Sequence, residues 1–166
     1  VYTGILPVCR NEAGLAAVVG HEVAHALARH GAERMSHQMV VELVGTGIAL
    51  ALESEDPETR AGVLAAYGLG ANVGVMLPYS RKHEAEADRI GIELMARSGY
   101  DPREAARLWD RMAALSAGRP PEFLSTHPHA ENRAAELREI LPEMMSLYRQ
   151  ASQQHGLGAA LQAGSR

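Results

Sequence analysis

His21-Glu22-Val23-Ala24-His25 sets two imidazoles four residues apart, with a carboxylate between them. On an α-helix that spacing is about one turn, so His21 and His25 project from one face and their ring nitrogens can converge on a single ion. Glu22 lies about 100° round from His21 and about 60° from His25, close enough to flank the same point. Imidazole is a good zinc ligand, and a catalytic zinc keeps three protein ligands plus a water whose pKa falls to roughly 7. A carboxylate beside that water can take its proton as the oxygen attacks a carbonyl. The bland alternative is a helical His pair with a solvated Glu. The small residues Gly20 and Ala24 around the motif favour the metal.

A third ligand must come from elsewhere, and Glu84-Ala-Glu86-Ala-Asp88 offers one. On a helix Glu84 and Asp88 share a face, whereas Glu86 points about 200° away from Glu84 and reads as a solvated carboxylate. One of the pair can ligate while the other accepts a hydrogen bond from a ligand histidine and fixes its ring. Spacing alone does not choose between Glu84 and Asp88. Arg81, Lys82 and Arg89 also allow the whole run to be a salt-bridged surface face. Of the other histidines, His30 falls about 180° round the helix from His21 and cannot join the same site. His37 and His83 read as surface or helix-end residues, and His155 lies in a tail. His127 sits in the loop-like Ser125-Thr126-His127-Pro128-His129, where it could stabilise an oxyanion or close a zinc site as a fourth ligand, whereas His129 reads as a turn residue.

These residues need helices to carry them. After an extended start over residues 1–8, Asn11 caps a helix over about 12–30, with Gly31 as its stop. A second helix is expected over about 32–52 and a third apolar stretch over 61–77, ended by Pro78. Ser80 is expected to cap a helix over about 81–97 that stops at Ser98-Gly99, and Asp101-Pro102 to open another reaching about 115. Two further stretches, 130–140 and 142–154, precede a flexible tail over 152–166. The catalytic-type domain is thus expected over 1–151, with helices over 32–77 covering the site between the two ligand segments. The apolar stretches 39–52 and 61–77 invite two readings. One is a buried or cleft-covering helix pair in a soluble domain, the other a membrane-inserting or membrane-proximal hairpin. Length favours the first, since a bilayer span takes about 20 apolar residues.

Composition supports a mainly helical fold. Of 166 residues 46% are hydrophobic but only 4% aromatic, so Ala, Gly, Leu and Val carry a close-packed helical core. The net charge of −4 shows no basic excess of the kind a nucleic-acid binder carries. One cysteine, Cys9, excludes an internal disulfide framework. No signal-peptide pattern is present, and the first residue is Val, so the chain reads as a piece of a longer protein.

Taken together, the motifs resemble the HtpX-like and CAAX-prenyl-endopeptidase-like zinc metallopeptidases, peptidase family 48 of the metallopeptidases. The nearest likeness is to the soluble bacterial cell-envelope branch, the BepA/LoiP-like proteases. The likeness rests on Val1-Tyr2-Thr3-Gly4, Asn11-Glu12-Ala13, His21 to His30 with Glu33-Arg34, and Leu77-Pro78-Tyr79-Ser80-Arg81. It continues through Glu84 to Gly91, then Ser125-Thr126-His127-Pro128 with Arg133. It implies a zincin-like (gluzincin) domain whose upstream β-strands are largely missing from this chain. It also implies one zinc ion per chain on His21, His25 and Glu84, with Glu22 as general base and then acid and Asp88 in support. His127 and Arg133 would lie at the active site, His127 as a transition-state stabiliser or a zinc-blocking switch. The implied activity is metalloendopeptidase cleavage of protein or peptide substrates, misfolded or membrane-associated, in a bacterial periplasm or cell envelope. No nucleic-acid partner and no particular oligomeric state are implied. Two rival readings are an envelope chaperone or assembly factor with a self-blocked zinc site, and a structural zinc domain. The intact Glu22 argues against the latter, because a closed four-ligand site needs no base.

Overall fold

The computed structural model describes residues 3–116 and 130–161, and among them the fold is mainly helical. A 3-10 turn, Thr3–Ile5, leads into α1 (Leu6–Cys9), followed by α2 (Glu12–Leu27), α3 (His30–Ala51) and α4 (Pro57–Ala71). A π-helical turn, Asn72–Met76, joins α4 to α5 (Leu77–Arg97), and α6 (Arg103–Ser116) and α7 (Ala130–Gln150) follow. Among the described residues β-pairing is limited to two isolated bridges, Asn11 with Ala160 and Tyr100 with Gly156.

Several ends have the chemistry the sequence anticipates. Asn11 Oδ1 accepts the Gly14 amide at 2.8 Å and starts α2. Asp101 Oδ1 accepts the Arg103 amide at 3.0 Å and starts α6. Gly99, at φ 81°, closes α5 in the left-handed conformation, with Tyr100 N bonded to Met95 O. Other expectations need correction. Residues 3–9 coil into the 3-10 turn and α1 instead of extending. The α2–α3 break falls at Arg29, left-handed at φ 58°, and Gly31 is already inside α3. α5 runs through Pro78 and Ser80 without a fresh cap, because a proline near a helix start forfeits few bonds. α7 likewise passes through Pro142, where packing along α6 outweighs one lost amide bond.

The chain divides into two compact units, Val1–His25 with Glu84–Arg166, and Ala26–His83. The first holds the hydrophobic core, in which Ile5, Val18, Ile92, Met95, Leu108, Trp109, Met112, Leu137 and Met144 are buried. Backbone bonds tie the described residues up to Leu161 to this unit. Glu12 N donates to Ala159 O at 2.9 Å, Leu161 N to Arg10 O at 2.8 Å, and Asp101 N to Gly156 O at 2.8 Å. The second unit is the α3–α4 hairpin with its flanking turns. Only His30 is buried in α3 and only Ala71 in α4, so of the readings offered for 39–77 a fully buried helix pair does not describe these residues.

Candidate metal centre

Two helices of the first unit meet where both lack side chains. A Cβ on Gly20 of α2 would stand 2.7 Å from Gly91 O of α5, and one on Gly91 would stand 2.8 Å from His21 N. Glycine at both positions lets the backbones touch, which brings α5 carboxylates within reach of α2 imidazoles. His21 Nε2 then lies 3.0 Å from His25 Nε2 and 3.3 Å from Glu84 Oε2, while His25 Nε2 is 3.4 Å from Glu84 Oε1. Zinc-to-ligand bonds of about 2.0–2.2 Å at tetrahedral angles require ligand atoms roughly 3.3–3.5 Å apart. The histidine pair is a little closer than that and the two Glu84 distances involve different oxygens, so the three side chains are gathered close enough to hold one ion after small adjustments. Among the described residues they form the one group of three or more His, Cys, Asp or Glu gathered tightly enough to hold a metal.

The supports lie on the buried side. Asp88, one turn after Glu84, sits with Oδ1 3.0 Å from His21 Nδ1, the position from which a carboxylate can orient an imidazole. Arg133 of α7 closes the cluster. Its Nε donates to Asp88 Oδ2 at 2.6 Å, Nη1 to Glu84 Oε2 at 2.9 Å, and Nη2 to Asp88 Oδ1. His21, Glu84, Asp88 and Arg133 are all buried, and Arg133 is only 3% exposed. Its guanidinium lies 3.5 Å above the Trp109 ring. Burial works against charge on His21, but its bonds to Asp88 and Glu84 prevail and hold its pKa above the usual imidazole value. Burial would likewise raise Asp88, yet bonds from His21 and Arg133 hold its carboxyl below the usual range. A pocket that favours a proton on His21 also favours a metal cation on Nε2.

His25 and Glu22 stand on the more open side, both half-buried. Glu86 is exposed, as its helical phase requires. His127 and His129 lie outside the described residues. His83, expected at the surface, is instead buried in the second unit, its ring stacked on buried His30 at 4.2 Å, with Glu33 Oε2 3.1 Å from Nε2. The residue missed by sequence reasoning is Trp109. Its signal was available, since it is the single tryptophan in an aromatic-poor chain, on the buried face of an amphipathic helix.

The arrangement is a three-donor metal pocket with a buried ionic floor and a carboxylate beside its open side. Comparison with known proteins matches residues 1–141 to the model of Peptidase family M48. Mitochondrial metalloendopeptidase OMA1 of Schizosaccharomyces pombe is 43% identical over 145 residues, covering 86% of this chain and 41% of that protein. Its namesake in Saccharomyces cerevisiae is 34% identical over 157 residues, covering 91% and 43%. The beta-barrel assembly-enhancing protease of Escherichia coli is 33% identical over 159 residues, covering 93% and 32%. The chain therefore spans less than half the length of these relatives, and the envelope branch is not singled out from the mitochondrial one. No solved structure matches the chain.

Proposed function

The chain belongs to peptidase family M48, and on that premise we propose that it is a zinc endopeptidase cleaving internal bonds of misfolded or membrane-associated envelope proteins. The observation that carries this reading is the convergence of His21, His25 and Glu84 on one point, with Glu22 on the same helix as the two histidines. Substrates and compartment belong to the proposal, as does the activity of the longer proteins this chain resembles.

His21, His25 and Glu84 would hold the ion. Bound there, zinc supplies a Lewis acid for the scissile carbonyl and lowers the pKa of a coordinated water to roughly 7. Glu22 takes the proton released as water attacks the carbonyl carbon, then passes it to the amine nitrogen as the C–N bond breaks. Asp88, with Oδ1 3.0 Å from His21 Nδ1, would orient that ring so that Nε2 faces the ion. Arg133 is committed to Asp88 and Glu84 on the buried side, which supports a role in fastening the ligands over one at the oxyanion. His127 is the remaining candidate for donating to the oxyanion.

Loaded with zinc, the chain should cleave an unfolded protein, and chelation should abolish cleavage. Glu22→Gln should lower the rate at least about 100-fold while zinc content stays unchanged. Full activity in Glu22→Gln, or absence of stoichiometric zinc from the wild-type chain, would overturn the reading. The name of the Escherichia coli relative couples assembly to proteolysis and favours a second reading, an assembly factor whose zinc is closed by His127. In that case His127→Ala gains protease activity and Glu22→Gln keeps the biological role.

A further inference from the structure

We propose that Trp109 is a positioning residue of the metal centre, acting through Arg133. Its indole face holds the guanidinium back on the buried floor, so that a metal ion and not that cation takes the donors His21, His25 and Glu84. The proposal rests on the zinc reading above. Arg133 already crowds the point that the donors enclose. Its Nη1 donates at 2.9 Å to Glu84 Oε2, the oxygen that stands 3.3 Å from His21 Nε2. Its Nη2 lies 3.1 Å from His21 Nδ1 and 3.5 Å from Nε2. A fixed positive charge so near two of the donors competes with a metal cation for them. The same charge is needed, because Glu84 and Asp88 would otherwise be buried as bare carboxylates. The floor must keep its cation and also restrain it.

Trp109 supplies the restraint. The carboxylates take the in-plane N–H groups of Arg133, with Nε and Nη2 donating to Asp88 and Nη1 to Glu84. The flat face of the guanidinium is left for the indole, and its central carbon lies 3.5 Å from the centre of the Trp109 ring. An indole face carries partial negative charge and attracts a cation, the more strongly where water is excluded. Water is excluded here, since Trp109 is 4% and Arg133 3% exposed. Met112 and Leu137, buried in the same core, fix the place of the ring on α6 relative to α7. A leucine at 109 would fill much of that space, as Leu108 and Leu137 do nearby, but would present no negative face. The cation would then have only the carboxylates to lean on, and Glu84 is the one it shares with the metal.

Trp109 is the single tryptophan, so growth on fluorinated tryptophan alters this ring alone. Fluorine withdraws charge from the ring face at nearly constant shape, which separates the attraction from packing. The full chain is prepared with tryptophan and with its monofluorinated, difluorinated and tetrafluorinated forms, and zinc affinity is read by competition with a chromophoric chelator. The zinc Kd should rise with each added fluorine, by about threefold at the tetrafluorinated ring. The fluorine NMR signal should shift on addition of zinc, because the guanidinium resettles as Glu84 takes the ion. Trp109→Leu should raise Kd about tenfold, the scale on which groups behind metal ligands act, and Trp109→Phe should recover part of that. In an Arg133→Met background the same changes at Trp109 should move Kd by less than about twofold, because the cation they act through is gone. Packing alone would lower the thermal midpoint of Trp109→Leu and leave Kd level along the fluorinated series. A level series, a Kd that falls with fluorination, or equal losses with and without Arg133 would each overturn the proposal, and the series decides even where Arg133→Met does not fold. Stoichiometric zinc with a level series removes this role alone. No zinc on the wild-type chain removes the zinc reading with it.

Discussion

Two regions of this chain meet water in opposite ways. In the unit formed by Val1–His25 and Glu84–Arg166, a set of charged groups is buried and paired, and many of the large apolar side chains lie in a core. In the unit Ala26–His83 the buried groups include two stacked histidines, and the large apolar side chains face outward. The first pattern is what chemistry on a metal requires: a dry floor whose hydrogen bonds set ligand orientation. The second is costly in water. Burying one large apolar side chain is worth about 1.5–3 kcal/mol, so covering Met39, Val40, Leu43, Val44, Leu69 and Val73 gains on the order of 10 kcal/mol. In the site, by contrast, ion pairing outweighs the cost of burying charge.

The sharpest way to break this contrast is at Arg133. Truncation by Arg133→Ala leaves Asp88 and Glu84 as buried carboxylates without their cation, at a cost of about 3–5 kcal/mol. The thermal midpoint should fall by roughly 10 °C, at about 2–4 °C per kcal/mol for a chain of this size. Added zinc should restore part of the loss, because the ion supplies positive charge beside the same two groups. Arg133→Lys should recover less than the wild type, since an ammonium cannot bridge both carboxylates and stack on Trp109. Calorimetry with and without zinc checks this. A loss equal in both conditions would mean that Arg133 supports α7 packing and not the ligand floor.

How much of this was legible beforehand differs between the regions for the same physical reason. His21, His25 and the Glu84–Asp88 pair follow from helical periodicity, because each pair lies within one helix and four residues make one turn. Spacing could not choose between Glu84 and Asp88, which depends on where α5 crosses α2. That crossing is set by Gly20 and Gly91, two residues whose effect is what they lack. Trp109 and Arg133 meet from α6 and α7, an encounter no local pattern encodes. The hairpin was readable as apolar helix, but a buried or cleft-covering pair and a membrane-proximal one both stayed open, since periodicity reports a face only when one face is polar. Pro142 and Gly31 misplaced helix ends because packing outweighs propensity within a long element, and Pro78 because it falls in the first turn of α5, where few amide bonds are lost.

Glycine sharpens the comparison at a smaller scale. Gly20→Ala puts a methyl carbon 2.7 Å from Gly91 O, so the α2–α5 crossing must open. Overpacking of this kind costs about 1–3 kcal/mol. It should also weaken zinc binding, because Glu84 moves with α5. At Gly70 in the hairpin a Cβ meets nothing within 4 Å, and Gly70→Ala should add up to about 1 kcal/mol of helix stability. Denaturant melts and zinc titrations of the two variants should therefore move in opposite directions for stability, and only Gly20→Ala should change affinity. Equal affinity in Gly20→Ala would detach the crossing from the metal site.

The smallest expected effect compares two helix caps. Asp101 starts α6 in the first unit and Asp56 starts α4 in the hairpin, each accepting backbone amides. Asp101 is buried, a setting that raises a carboxyl, yet bonds from Arg103 outweigh this and hold its pKa below the usual value. Asp56 is exposed and lowered by bonds from Thr59. A folded pKa below the unfolded one means stability that is complete above the unfolded value, about 3.9, and is lost as pH falls through the folded value. Asn keeps the cap and removes only the charge. Asp101→Asn should therefore cost up to about 1 kcal/mol at neutral pH, a modest figure because Arg103 is largely in solvent. The difference from wild type should close in acid, below the folded pKa. Asp56→Asn should show a smaller change with pH, since its bonds are to neutral amides that Asn also accepts. Urea melts at neutral pH and in acid decide the matter. A pH-independent loss at Asp101 would show that packing, not its charge on Arg103, carries the cap.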